Sequence, residues 1–195
     1  MALGGDQTAG MEQTLETPLE TLLAGLDDIR RSPQDGGRLE LIVRRPAEGV
    51  REVLETGELN HSDGLAGDTW NQRGSRRSAD GGPHPEMQLN LMNSRAIALI
   101  AQKPERWQLA GDQLYVDLDL SEANLPAGTQ LAIGSAVIEV TDQPHTGCAQ
   151  FSQRFGASAR KFVNSEGGRE VRARGINAKV VVPGTITTGD GITKV

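Results

Sequence analysis

The stretch QLAIGSAVIEVT, residues 130–141, contains two short apolar-rich segments on either side of Gly134-Ser135. Each segment has the length and alternation of a β-strand, and a Gly-Ser pair is typical of the turn between strands. Strand-like segments also occur at residues 113–120, 170–174, 177–182 and 185–193. Because turn residues separate them and no helix alternates with them, we predict a mainly β (α+β) barrel or sandwich with short helical inserts.

Length and composition limit the classes of protein that fit. The chain has 195 residues and a net charge of −6, which suits one domain but lacks the positive surface that general nucleic-acid binding needs. The N-terminal residues have no basic leader or apolar core, and the longest all-apolar run, residues 96–101, is too short to span a bilayer. We therefore expect a soluble cytoplasmic protein with no nucleic-acid or membrane partner.

The basic residues are concentrated in one part of the chain. Residues 147–180 contain seven basic side chains and only two acidic ones. Such a local excess attracts anions even when the whole chain is acidic. A small anionic partner is therefore expected in this part of the chain.

Three regions are expected along the chain: a flexible tail at residues 1–18, an amphipathic helix with a linker at 19–37, and the β domain at 38–195. The helix is predicted from apolar residues at helical spacing between Leu19 and Ile29, followed by two arginines. It either docks on the domain or recruits a partner.

Two short helical inserts are predicted inside the β domain. Residues 49–56 fit one or two helical turns closed by Gly57, and Asn93 or Ser94 is suited to cap a helix that runs to Gln102.

Cys148 is the only cysteine, so it cannot form a disulfide within the chain. A helix from about Thr146 to Gly156 would place Cys148 in its first turn, on the same face as Phe151 and Phe155. The N-terminus of a helix stabilises a thiolate, which is the reactive form of cysteine. A buried structural cysteine is the alternative, because free cysteines are commonly buried.

His145, Arg172 and Arg174 are further candidates. His145 could orient the thiol, bind an anion or transfer a proton, although a solvated loop histidine fits equally. On a strand, Arg172 and Arg174 would point the same way and could grip a phosphate or carboxylate, or simply form an exposed face. The sequence has no CxxC, HExxH, P-loop or GxSxG motif, which excludes the corresponding zinc, phosphate and serine-nucleophile sites.

Four segments, in this order, resemble a MOSC domain, the module found at the C-terminus of molybdenum cofactor sulfurases and as a stand-alone protein. They are GLAGDTW (64–70), MQLNLMNSRAIALI (87–100), DLSEANLPAGTQLAIGSAVIEVTDQPHTGC (119–148) and VRARGINAKVVVPGTITTGDGI (171–192). The resemblance covers about residues 38–195 and implies a MOSC-type β-barrel with its essential cysteine at Cys148.

In proteins of this family the cysteine is proposed to carry sulfur as a persulfide or to bind the molybdenum of a pterin cofactor. The resemblance therefore implies a catalytic role for Cys148, assisted by His145, and a metal-binding role for Cys148. Motif position and chemistry then assign contacts to the molybdenum cofactor to Asp68, Arg95, Thr146, Arg172, Arg174 and Asn177. The loop of Asp68 has Thr69 where the commoner family form has an arginine.

Partners are expected in trans. Pyridoxal phosphate is associated with the family through a desulfurase domain. This chain has no room for that domain, nor for a ferredoxin-like domain. A cysteine desulfurase or other sulfur donor, or an electron-transfer protein, would therefore be a separate chain.

Three functions stay open on this basis. The chain could carry sulfur on Cys148 for maturation of a metal–sulfur centre or the molybdenum cofactor. It could be a molybdenum-dependent reductase of N-hydroxylated compounds with Cys148 as the metal ligand. It could also be a non-catalytic module that binds an anion or a partner protein.

Overall fold

A computed structural model of the chain describes residues 16–75 and 77–195. Its strands are β1 (Gly37–Arg44), β2 (Glu52–Leu54), β3 (Thr56–Asn60), β4 (Gly64–Leu65), β5 (Leu89–Asn93), β6 (Leu114–Asp117), β7 (Gln130–Ile133), β8 (Ala136–Val140), β9 (Ile176–Val182), β10 (Gly184–Thr187) and β11 (Gly191–Lys194). Its α-helices are α1 (Leu19–Ala24), α2 (Leu26–Arg30), α3 (Ser94–Ala101), α4 (Ala149–Asn164) and α5 (Glu166–Glu170). None of these helices is long and apolar enough to cross a bilayer.

Seven strands close into a barrel. Their order around the barrel is β1, β11, β7, β8, β9, β5 and β6, and β6 pairs again with β1. All neighbours are antiparallel except β5 and β6. Strand β2 pairs with β1 outside the barrel, and β10, β3 and β4 form a second, smaller sheet. The predicted mainly β class with helical inserts is therefore confirmed, in its barrel form.

Every second side chain along the strands is apolar and points into the barrel, where these side chains form the core. Leu131 and Ile133 of β7 and Ile138 and Val140 of β8 are buried, while the residues between them are partly exposed. A second apolar cluster lies between the barrel and the helices and includes Phe151, Phe155 and Phe162 of α4. These two cores hold α4, and the loop that leads into it, against the barrel.

The N-terminal amphipathic segment forms two short helices rather than one, so that prediction is wrong in its detail. Helices α1 and α2 meet at Gly25, which lies so close to Leu99 that a Cβ there would come within 2.4 Å of Leu99 Cδ2. Leu22 and Ile29 are buried in the second core. The segment therefore docks on its own domain, which is one of the two roles predicted for it.

The tail predicted at residues 1–18 lies mostly outside the described residues. Its last residues contact the helices: the Glu16 carboxylate accepts a hydrogen bond from Ser158 N at 2.8 Å, and Thr17 Oγ1 donates to the carbonyl oxygens of Leu99 and Ile100. The flexibility and boundary of the tail stay a prediction.

Two local predictions are wrong. Residues 49–56 contain strand β2 instead of a helical turn, because Val53 pairs with Val43 of β1 and tertiary pairing overrides a weak local preference. Residues 170–174 form the end of α5 and a turn instead of a strand, because the Ser165 side chain accepts a hydrogen bond from Gly168 N and starts a helix there.

The capped helix was predicted correctly. Asn93 Oδ1 accepts hydrogen bonds from the backbone N–H groups of Arg95 and Ala96. Helix α3 ends at Ala101, and the next residue, Gln102, has a left-handed backbone conformation.

Candidate functional site

Cys148 is the N-cap residue of α4 and its thiol is exposed. Its backbone is extended, with φ −98° and ψ 179°, so the helix begins at Ala149. The predictions of a helix start near Thr146, and of a thiol in the first turn, are therefore wrong by a few residues. The physical reason is the preceding residue: both the N–H and the C=O of Gly147 are hydrogen-bonded to Asn164 instead of to a helical turn.

The thiol does not share a face with the two phenylalanines. Phe151 and Phe155 are buried with their ring centroids 5.0 Å apart, whereas Cys148 is exposed. The common face predicted from their spacing is wrong, because Cys148 precedes the helical segment to which that spacing applies. The alternative of a buried structural cysteine is also wrong.

Gly156 was predicted to end the helix, and the first helical segment of α4 does end there; a second segment follows after a kink. Gly156 has a φ of 88° and a ψ of 170°, which belong to a backbone region that only glycine adopts readily. The chain resumes a helical path after it and continues to Asn164.

A cleft of about 400 Å³, here called the His145 cleft, brings together four of the residues singled out from the sequence. These are His145, Thr146, Arg172 and Arg174. The loop before Cys148 forms one wall, and the segment after α5 forms another.

His145, Asp112 and Arg174 form a buried group beside this cleft. Arg174 Nη1 donates to both oxygens of Asp112, at 2.9 and 2.7 Å, and Arg174 Nη2 donates to Ala110 O at 3.1 Å. His145 Nδ1 lies 3.6 Å from Asp112 Oδ1, too far for a good hydrogen bond. Burial, aided by the charge of Arg174, lowers the pKa of His145 to about 3, so His145 is neutral near pH 7.

Arg172 and Arg174 do not form the parallel pair expected on a strand. Arg172 has a positive φ of 46° and donates to the carbonyl oxygens of Leu120 and Leu125. Burial lowers the pKa of Arg172. Arg174 pairs with Asp112 and Arg172 binds the 120–125 loop, yet both line the His145 cleft, so their joint contact with an anion stays a prediction. A separate cofactor contact by either arginine stays a prediction.

Three further predicted cofactor contacts line neither this cleft nor the second one described below. The carboxylate of Asp68 is fully buried against Arg45, with two hydrogen bonds of 2.8 Å. Arg95 donates to both oxygens of Asp117, at 2.8 and 3.1 Å. Asn177 is buried in β9 and donates to Gln143 O at 3.0 Å. Their assigned roles stay predictions.

A second cleft, about 690 Å³ in volume, is called here the arginine cleft. Arg51, Arg73 and Arg154 line it, together with Gln150 in the first turn of α4. A Cβ on Gly111 would lie 3.5 Å from Arg154 Nη1 and 3.8 Å from Arg51 Nη2, so two of the guanidinium groups meet at this glycine. Thr146 lines the first cleft and Gln150 lines the second, so Cys148 lies along the chain between the two.

Positive charge is in excess in the arginine cleft, because three arginines but only one carboxylate, that of Glu48, line it. None of its three arginines forms an ion pair within residues 16–75 and 77–195. Arg73 donates to Thr69 Oγ1, Arg154 to Leu109 O, and Arg51 to Val50 O, while the buried Nε of Arg51 has no partner in that part of the chain.

The pKa values of Arg51 and Arg73 are lowered chiefly by burial and further by neighbouring positive charge. Burial lowers the pKa of Arg51, and the charges of Arg154, Arg45 and Arg73 lower it further. The pKa of Arg73 is lowered by burial and then by the charge of Arg45, while the charges of Asp68 and Glu48 oppose this shift. Such a site gains by binding an anion. No group of three or more metal-ligating His, Cys, Asp or Glu side chains occurs in the described part of the chain.

Sequence reasoning missed this cleft. Arg51, Arg73 and Arg154 are separated by long stretches of sequence, and only the fold brings them together. The one available signal was the basic region at residues 147–180, which includes Arg154.

Comparison with known proteins identifies the family. A family model of the MOSC domain matches residues 83–193, more than half of the chain. The chain belongs to the MOSC domain family. The family resemblance read from the four sequence segments is thereby confirmed. A search of curated proteins finds no match to this MOSC domain protein.

Solved structures support the MOSC fold. The YuaD protein from Bacillus subtilis matches with a TM-score of 0.60 and 16% identity, over 80% of this chain and 93% of that one. YiiM from Escherichia coli gives 0.52 and 20%, over 81% and 69% of the two chains. YiiM from Geobacillus stearothermophilus gives 0.54 and 13%, over 82% and 75%. At these identities the likeness concerns the fold alone.

Proposed function

We propose that this MOSC domain protein binds the molybdenum cofactor in the arginine cleft and carries sulfur as a persulfide on Cys148. The observation that carries the proposal is the exposed thiol at the N-cap of α4, two residues before Gln150 of the arginine cleft. A sulfur carrier needs a thiol that a donor can reach, and an exposed thiol meets that need.

The residues of the arginine cleft fit an anionic cofactor. The phosphate and dithiolene groups make the pterin an anion, and Arg51, Arg73 and Arg154 would hold it. Guanidinium groups bind phosphate oxygens through paired, charge-assisted hydrogen bonds. Two features of the described residues favour such a ligand: the unpartnered Nε of Arg51, and the excess of three arginines over the one carboxylate, Glu48, in the lining of the cleft.

The sulfur-loading step requires only Cys148 and a donor persulfide, R–S–SH. The Cys148 thiolate attacks the terminal sulfur of the donor, a new S–S bond forms on Cys148, and the donor's S–S bond breaks to release R–S⁻. No external oxidant is needed. The unpaired N–H groups in the first turn of α4 favour negative charge at this end of the helix. A cysteine desulfurase in trans would supply the donor persulfide.

A second candidate is a molybdenum-dependent reductase of N-hydroxylated compounds with Cys148 as the metal ligand. The arginine cleft favours it as well, since a permanently bound cofactor needs the same anion site. When bound, the cofactor would supply redox chemistry, and the chain would supply one soft thiolate ligand and a charged cleft. A third function, a non-catalytic module with Cys148 in its core, is disfavoured by the exposed thiol.

The test combines intact mass with metal and pterin analysis of protein from a host that makes the cofactor. After incubation with a desulfurase and cysteine, we expect an added mass of about 32 Da, one sulfur atom, that is lost in Cys148→Ser. We also expect bound molybdenum and pterin. In Arg73→Ala the affinity for the cofactor should fall about tenfold, because a charge-assisted contact is lost. Exposed Arg38→Ala serves as the matched control and should bind normally.

The outcomes separate the candidates. Stoichiometric molybdenum without a sulfur adduct supports the reductase, and an adduct without cofactor restricts the function to sulfur carriage. If the protein shows no sulfur adduct and binds no cofactor, both candidates are contradicted, and a non-catalytic binding module is the function that remains.

A further inference from the structure

The side chain of Asn164 binds both polar groups of Gly147, the residue directly before Cys148. Asn164 Oδ1 accepts a hydrogen bond from Gly147 N at 3.2 Å, and Asn164 Nδ2 donates to Gly147 O at 3.2 Å. Gly147 O belongs to the peptide bond that joins Gly147 to Cys148. One side chain therefore fixes the orientation of the peptide unit from which Cys148 extends.

The kink of α4 makes this contact possible. Asn164 is the last of the 16 residues of α4, and a straight helix of that length would be about 24 Å long. Its last residue could not then hydrogen-bond the residue before its N-cap. Gly156, with its φ of 88°, redirects the second half of α4 so that Asn164 returns to the start of the helix.

The packing at Gly147 shows that the contact is built into the fold. A Cβ at this position would come within 2.6 Å of Val163 Cγ2 and 3.0 Å of Asn164 Nδ2. Gly147 is buried, whereas Cys148 beside it is exposed. Val163 and Asn164 of α4 therefore hold Gly147 in place, while the next residue, Cys148, is exposed to solvent.

We propose that Asn164 is a positioning residue for Cys148: its amide holds the Gly147–Cys148 peptide so that the thiol stays exposed at the N-terminus of α4. The amide matches the needs of both Gly147 groups, since Asn offers one acceptor and donors on the same planar group. The consequence for sulfur transfer rests on the proposed function, whereas the consequence for thiol reactivity does not.

The test compares Asn164→Ala with Asn124→Ala. Asn124 is a matched control, because its amide also makes two hydrogen bonds to backbone groups: its Nδ2 donates to Gln34 O at 2.9 Å and to Asp119 O at 2.8 Å. The first readout is the rate at which iodoacetamide alkylates Cys148, and the second is hydrogen exchange at the Gly147 amide. Thermal unfolding shows whether both variants lose similar stability.

In Asn164→Ala we expect faster exchange at Gly147 and alkylation slowed by about tenfold, because the peptide that carries Cys148 loses both hydrogen bonds that orient it. Asn124→Ala should alkylate at the wild-type rate. With a donor persulfide, the maximal loading rate of Asn164→Ala should fall while the apparent KM stays unchanged, because the donor itself is not bound by Asn164.

Wild-type alkylation and exchange in folded Asn164→Ala, or equal slowing in Asn124→Ala, would overturn the proposal. If Asn164→Ala does not fold, Asn164→Asp takes its place: it keeps the shape and the acceptor for Gly147 N, but cannot donate to Gly147 O. It should alkylate at least a few-fold more slowly, and a wild-type rate contradicts the proposal. Alkylation needs no sulfur donor or cofactor, so this result is separate from the fate of the proposed function.

Discussion

At the scale of single residues, His145 is largely buried although it lies only three residues before the exposed Cys148. The His145 side chain is only 14% exposed, and Asp112 beside it is fully buried. The ion pair between Asp112 and Arg174 is therefore separated from solvent, and His145 stays neutral next to it. A neutral His145 can orient groups near Cys148 but is a poor proton acceptor near pH 7.

The low pKa of His145 predicts acid sensitivity. In the unfolded chain its pKa is near 6.5, and folding lowers it to about 3, so the unfolded state takes up the proton first. The stability that this group contributes is present above pH 6.5 and is lost as the pH falls towards 3. At pH 5 the loss is about 2 kcal/mol relative to pH 7.

The measurement is urea unfolding at pH 7 and pH 5 for the wild type and for His145→Gln. The variant should lose about 2 kcal/mol less than the wild type over this interval, because glutamine has no proton to gain. His84→Gln is the control, since the His84 ring accepts a hydrogen bond from Glu86 N at the start of a short 3-10 helix, Pro85–Met87. Parallel losses in the wild type and His145→Gln would contradict the assignment.

At the scale of secondary-structure elements, α4 carries the most consequential feature. Its kink at Gly156 depends on a backbone conformation with φ 88° and ψ 170°, and a Cβ at this position would lie 2.4 Å from Glu16 Cδ. Gly156→Ala should therefore lower the free energy of unfolding by about 1–3 kcal/mol. It should also weaken the contact between Asn164 and Gly147, which depends on the kink.

Chemical denaturation and Cys148 alkylation measure these two effects. Gly128→Ala is the control: Gly128 has a similar φ of 89°, but no heavy atom lies within 4 Å of the position that a methyl group there would occupy. It should lose less stability than Gly156→Ala and leave alkylation unchanged. An equal loss in both variants would mean that the kink has no special role.

The elements also show what sequence can predict. The limits of β7 were predicted to the residue, and the cap of α3 was assigned correctly, because alternation and capping are local signals. The start of α4 was missed because it depends on Asn164, a residue 17 positions away from Gly147. The arginine cleft was missed for the same reason, since it joins Arg51, Arg73 and Arg154 through the tertiary fold.

At the scale of the whole molecule, the barrel is closed by its first and last strands. Gly37 and Arg38 of β1 pair with Ile192 and Gly191 of β11. Strand β11 also pairs with β7, which forms a hairpin with β8, and β8 leads into the loop of Cys148. Closure at β11 therefore supports the part of the barrel on which the candidate site is built.

Substitution of Ile192 tests whether β11 holds the barrel closed. Ile192 is the one fully buried residue of β11, packed in the barrel core, whereas Thr193 on the same strand is exposed. Ile192→Ala should lower the free energy of unfolding by about 2–5 kcal/mol through lost burial and a cavity, and Thr193→Ala by less than about 0.5 kcal/mol. Urea unfolding measures both. Because opening the closure would expose strand edges, Ile192→Ala should also aggregate faster on heating; equal stability of the two variants would show that β11 is dispensable for holding the barrel closed.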